Sequence, residues 1–93
     1  MRSYTTKRFW ESFYCLPKNI QTQAKQSYSK FQENPYHPSL HFKRIHSTQP
    51  IYSVRINLDY RALGVLNFDE VIWFWIGSHA EYNHLIKRLP KKV

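Results

Sequence analysis

Ninety-three residues can close one hydrophobic core but not two, so the chain 1–93 is expected to be a single domain, with only about 60 to 65% of its unfolded surface buried. Aromatic residues make up 17% of it and the formal charge is +8, from 14 Lys and Arg against 6 Asp and Glu. Disordered basic tails lack aromatics, so the chain should fold with its excess positive charge outside, either facing a polyanionic partner (nucleic acid, an acidic protein or anionic lipid) or serving only solubility.

Cys15 is the only cysteine, which excludes an internal disulfide and a zinc cage built on cysteines, and fits a reducing compartment. Between Tyr14 and Leu16 it is expected to be a buried thiol, not a nucleophile. No signal peptide is legible at the N-terminus, and the apolar run Val71 to Ile76 is far too short to span a bilayer. A cytoplasmic protein without membrane contact is expected.

In chain order, Phe9, Trp10, Phe13 and Tyr14 recur at helical spacing, and Pro17 closes that segment and opens a second. There Ile20, Ala24, Tyr28 and Phe31 form one stripe, and Asn34-Pro35 ends it. The two segments predict a helical hairpin. From Leu40 the period changes to two: Leu40 to Lys43 alternates, then Ile51 to Asn57, then Arg61 to Leu66 after a break at Leu58-Asp59. Val71 to Ile76 is apolar throughout, which predicts a central strand covered on both faces over much of its length. Ser78 is placed to cap a last helix, with Glu81 three residues on as in a capping box, and Pro90 to stop it within a basic tail. The fold class is α+β: a helical hairpin covering one face of a curved antiparallel sheet of three to four strands, with a short C-terminal helix.

The other face of the sheet is then the candidate binding surface. Arg55 points there, away from Val54 and Ile56, on the side of Ile51, Ser53 and Asn57. Arg61 opens the next strand. A loop of odd length, such as Asn57 to Asp59, puts it opposite Arg55, whereas a two-residue loop puts the two on opposite faces. On one face, two guanidiniums would form a phosphate site; the plain alternative is an ion pair with Asp59 or Glu70. His79 follows the apolar strand directly, where a histidine suits proton transfer. In a helix Tyr82 shares its side and His84 is rotated away. His79, Glu81 and His84 lack metal-ligand spacing, so neither metal nor cofactor is expected. His37, His41 and His46 read as surface histidines near the start of the sheet, with His37 able to approach a site at its edge. With Gly64 and Gly77 as the only glycines, no Gly-rich phosphate loop is possible.

The ordered set of Asn34-Pro35, Pro38-Ser39-Leu40-His41-Phe42-Lys43, Tyr52-Ser53-Val54-Arg55, Tyr60-Arg61-Ala62-Leu63 and Trp73 to Tyr82 resembles the RelE/ParE toxin superfamily over nearly the whole chain. The resemblance implies a toxin held inactive by a cognate antitoxin, in a hetero-oligomer. It further implies cleavage of messenger RNA in the ribosomal decoding site by attack of a ribose 2′-hydroxyl, which blocks translation. Carried over, Arg55, Arg61 and His79 fall on basic positions of the active face and Tyr82 near a tyrosine that orients or stacks on RNA. Lys43, Arg44, Ser53, Lys87 and Arg88 are the expected RNA contacts around them. Ser53 stands where RelE itself has a lysine, and the family's first strand is expected to be very short or absent in Arg2 to Thr6. Two other readings stay open: a non-catalytic ParE-like inhibitor of DNA gyrase, and an inactive RNA- or protein-binding relic.

Overall fold

A computed structural model describes residues 1–88; the expected stop at Pro90 and the tail beyond it lie outside the described residues. The elements are β1 (Arg2–Thr5), α1 (Lys7–Tyr14), α2 (Lys18–Glu33), a 3-10 turn (Pro38–Leu40), β2 (Lys43–Arg44), β3 (Ile51–Arg55), β4 (Tyr60–Asn67), β5 (Glu70–Ser78) and α3 (His79–Arg88). This is the expected α+β order with one strand more. The sheet runs β1-β5-β4-β3-β2, antiparallel except that β1 lies parallel to β5.

Strand β1 is therefore present where the sequence led us to expect little or none. Four residues carry no readable periodicity, and the partner specifies the strand instead. Ser3 pairs with Val71 and Tyr4 with Ile72, while the N–H groups of Arg2 and Thr6 donate to the carbonyls of Asp69 (2.9 Å) and Trp73 (3.1 Å).

The first helix starts at Thr6, whose hydroxyl accepts the N–H of Phe9 at 3.1 Å. Phe9 and Phe13 go inward, but Trp10 and Tyr14 stay exposed and stack on each other at 5.8 Å. On α2, Ile20, Ala24 and Phe31 are buried as their spacing predicts. Ser27 takes the inward position expected of Tyr28, its hydroxyl reaching the carbonyl of Ile56 at 3.4 Å. Cys15 is exposed, contrary to expectation, because it is the C-cap residue at the turn between the helices, where the apolar stripe has already ended.

The core lies between hairpin and sheet. Phe9, Phe13, Ala24 and Phe31 pack from the helices and Leu40 from the 3-10 turn, against Val54, Ala62, Val71, Trp73 and Ile76. Trp73 and Ile76 both face it although they are three residues apart, which a regular strand forbids. A β-bulge resolves this: Leu63 pairs with Trp75 and Gly64 with Trp73, leaving Phe74 as the extra residue. The apolar run is thus not a strand covered on both faces throughout, since Ile72 is exposed. Gly64 is required beneath Trp73, because a Cβ there would lie 2.7 Å from Val71 and 2.8 Å from the indole.

Candidate nucleic-acid interface

Backbone register decides which side chains share the face away from the hairpin. Val54, Ala62 and Ile76 point into the core and form one cross-strand row, so the next row, Arg55 on β3, Arg61 on β4 and Gly77 on β5, points the other way. Arg55 and Arg61 are direct cross-strand partners. The connecting loop has the odd length that this requires: the N–H of Ile56 donates to the carbonyl of Tyr60 at 3.1 Å, leaving Asn57, Leu58 and Asp59 as the turn. Asn57 shapes it, its side-chain oxygen accepting the N–H groups of Asp59 (2.8 Å) and Tyr60 (3.0 Å) while its amide donates to Gln23 on α2.

The same turn aims Arg61. Its Nη1 donates to the carbonyls of Asn57 (2.6 Å) and Tyr60 (3.1 Å), which holds the planar fork against the loop. Burial first, and the neighbouring Arg55 charge second, push the Arg61 guanidinium below its usual range, while Tyr82 and Asp59 pull the other way. Among the described residues the ion pair found is Arg2 with Glu70, 3.5 Å apart and at the surface. Glu70 is thus engaged elsewhere, and neither Arg55 nor Arg61 is ion-paired. Two adjacent guanidiniums without carboxylate partners among the described residues are a candidate anion site, since the planar fork of each fits phosphate oxygens.

His79 closes one end of this row. Ser78 caps α3 as expected: its hydroxyl accepts the N–H of Glu81 at 3.2 Å, and Glu81 accepts the Ser78 N–H at 3.0 Å. The N–H of His79, the first residue of α3, donates to the carbonyl of Asp59 at 2.6 Å, tying it to the turn that holds Arg61. Its imidazole is exposed, with the side chain of Asn83 3.4 Å from Nδ1. Tyr82 differs from expectation. It is 9% exposed, with its ring 5.8 Å from that of His79 and 6.5 Å from that of Trp75. Such burial makes it a support for His79, not an open platform for a base.

Burial also narrows the open face. Leu63 and Ser53 point away from the hairpin, yet Leu63 is fully buried and Ser53 is 3% exposed, and α3 packs on β4 and β5 with Tyr82 against Trp75. Ser53 is therefore not an available RNA contact. Lys43 pairs with Ser53, so it shares the face and is exposed. Arg44 is one residue out of phase and is used structurally, its Nε donating to the carbonyls of His46 (3.0 Å) and Gln49 (3.2 Å). Lys87 and Arg88 are exposed in the last turn of α3, about 12 Å along the helix from His79.

From the sequence His41 is expected to be an ordinary surface histidine. Its Nε2 lies 3.4 Å from Nη1 of Arg55, at the opposite end of the row from His79. The alternation of Leu40 to Lys43 carries the signal, since it puts His41 on the side of Lys43. His37 and His46 are otherwise engaged, the Nδ1 of His37 accepting the N–H of Ser39 at 3.2 Å and that of His46 the N–H of Gln49 at 2.9 Å. Among the described residues no group of three or more His, Cys, Asp or Glu side chains could hold a metal, and no helix is long and apolar enough to cross a membrane.

Several solved structures share this fold. A chain of the RelB–RelE antitoxin–toxin complex from Methanococcus jannaschii matches with a TM-score of 0.72 at 18% identity, over 94% of this chain and 99% of that one. YafQ from E. coli matches with 0.70 at 12% identity over 88% and 98%, and the YoeB/ParE toxin from Agrobacterium tumefaciens with 0.67 at 10% over 85% and 99%. No curated protein matches. The model of the ParE-like toxin domain matches residues 18–84, well over half the chain and the whole arginine row, and the chain therefore belongs to that family, within the RelE/ParE superfamily.

Proposed function

We propose that this protein is the toxin of a toxin–antitoxin pair and that it acts in the cytoplasm as a metal-independent endoribonuclease on messenger RNA, on the ribosome. The observation that carries the reading is the in-register pair Arg55 and Arg61, without carboxylate partners among the described residues, with an exposed histidine at the end of their row. The pair would hold the scissile phosphate and stabilise the charge that grows on it. The 2′-oxygen attacks phosphorus, the P–O5′ bond breaks, one proton leaves the 2′-hydroxyl and one reaches the 5′-oxygen. The products are a cyclic phosphate and a 5′-hydroxyl. Lys43 extends the positive surface along β2.

The partner of this reading is an antitoxin segment that is acidic or amphipathic. What supports it is a cleft of about 470 Å³ between α1, α2 and β1, lined by Tyr4, Trp10 and Tyr28 with Lys25 at its rim. These three aromatics are exposed, and the Nε1 of Trp73, buried at the cleft, has no hydrogen-bond partner among the described residues. Apolar anchors with an acceptor for that N–H, and a carboxylate for Lys25, would suit it.

The test is incubation of the purified protein with translating ribosomes and mapping of message ends, beside a gyrase supercoiling assay. Cut messages with free 5′-hydroxyls are expected. The family's ParE-like description favours the gyrase reading as the second choice, and supercoiling inhibition with intact messages would establish it.

A further inference from the structure

Two histidines, not one, border the arginine row. Continuing the register of β2 and β3, in which Arg44 pairs with Tyr52 and Lys43 with Ser53, sets His41 opposite Arg55. The row then reads His41, Arg55, Arg61 and Gly77, with His79 just past the end of β5. His41 and β5 are three strand spacings apart, about 14 Å. Two imidazoles reaching inward across that gap can bracket a phosphodiester held by the arginines between them.

The local geometry of His41 is unusual in two ways. Its backbone is left-handed, with φ 47° and ψ 44°, at the C-cap of the 3-10 turn. For a residue with a Cβ this conformation is costly unless the surroundings fix it, and such positions concentrate at functional sites. Its Nε2 also faces Nη1 of Arg55 at 3.4 Å. A guanidinium nitrogen can only donate, so the contact needs an unprotonated Nε2, which is the neutral ring with its hydrogen on Nδ1.

Resting on the reading of the protein as an RNA-cleaving toxin, we infer that His41 is the general base of the reaction and His79 the general acid. The Arg55 fork turns from His41 to the incoming phosphate, where its charge is better matched, and thereby frees the Nε2 lone pair next to the nucleophile. His41 Nε2 takes the proton from the 2′-hydroxyl as the oxygen attacks phosphorus. Protonated His79 delivers its proton to the departing 5′-oxygen. One proton is gained and one lost by the protein, and later exchange with water restores both rings.

The experiment uses messages carrying either the natural linkage or a bridging sulfur in place of the 5′-oxygen at the mapped cleavage position, since a thiolate leaves without being protonated. His41→Asn is the variant of choice, because asparagine tolerates the left-handed backbone and cannot take the proton. Circular dichroism reports whether each variant is folded. On the natural linkage both His41→Asn and His79→Gln should slow single-turnover cleavage about 10²-fold or more. On the sulfur linkage His79→Gln should recover to within a few-fold of the unchanged protein, and folded His41→Asn should stay slow. A folded His41→Asn protein that cleaves at the unchanged rate overturns the role of His41, and rescue of His41→Asn in place of His79→Gln reverses the two roles and overturns the assignment. His41→Gly, which removes any backbone strain along with the ring, should be as slow as His41→Asn; full activity there also overturns it. Failure of the unchanged protein to cut the natural message would instead remove the ribonuclease reading itself.

Discussion

The backbone N–H of His79 donates to the carbonyl of Asp59 at 2.6 Å, so the start of α3 hangs from the same three-residue turn whose Asn57 carbonyl holds the Arg61 guanidinium. Positioning of the histidine and of the arginine is therefore coupled through the turn. Asn57→Ala removes the oxygen that accepts from Asp59 and Tyr60, and should disturb both side chains at once. Cleavage is expected to fall by about 10-fold or more with a stability loss of about 1–3 kcal/mol, read from single-turnover rates and urea titration.

Arg61→Ala is expected to weaken message binding and to lower the cleavage rate by roughly 10²- to 10³-fold. Arg61→Lys should recover little of this, because an ammonium cannot serve two loop carbonyls and a phosphate in one plane. Binding isotherms and single-turnover rates on the same messages separate the two losses. Unchanged rates in Arg61→Ala would move the phosphate site away from this row.

Much of this was legible beforehand. The hairpin, the β3 and β4 strands and the Ser78 cap follow from periods and capping chemistry that act within a few residues. Arg55 and Arg61 were readable as a pair only once loop length was known, since parity across a hairpin hangs on one residue. What escaped depends on distant partners. Strand β1 exists because β5 offers it an edge, and the bulge at Phe74 flips the faces of an apolar run in which every residue looks alike. The burial of Tyr82 is set by α3 folding back over the sheet, and that of Ser53 by its place inside the sheet between β2 and β4, neither of which a local pattern announces.

Gly64→Ala is expected to cost about 1–3 kcal/mol, since the new methyl group would overlap Val71 and the Trp73 indole in a filled core. The shift should be seen as a lower urea midpoint at an unchanged slope. Full stability would mean that the Trp73 ring gives way.

The cleft and the arginine row lie on opposite faces, so they should separate by mutation. Trp10→Ala combined with Tyr28→Asp is expected to weaken capture of the neighbouring antitoxin gene product by roughly 30-fold or more, about 2 kcal/mol, and to leave message cleavage within a few-fold. Pull-down against the co-expressed partner and cleavage by the free toxin read the two effects. Capture undiminished in the double variant would place the antitoxin on another surface.

The parallel pairing of β1 with β5 also bears on how the molecule is made. Arg2 to Thr5 meet Glu70 to Trp73, so β1 must wait for a partner made much later in the chain before it can form. Contacts of such long sequence separation carry a large loop-closure entropy and tend to form late. The hairpin that follows β1 likewise buries its apolar stripe against later parts of the chain, Leu40 and then β3, β4 and β5. A nascent chain that stops short of β5 thus lacks Val71, Trp73 and Ile76, the side of the core against which both helices pack, and its arginine row stays incomplete until Gly77 has been added.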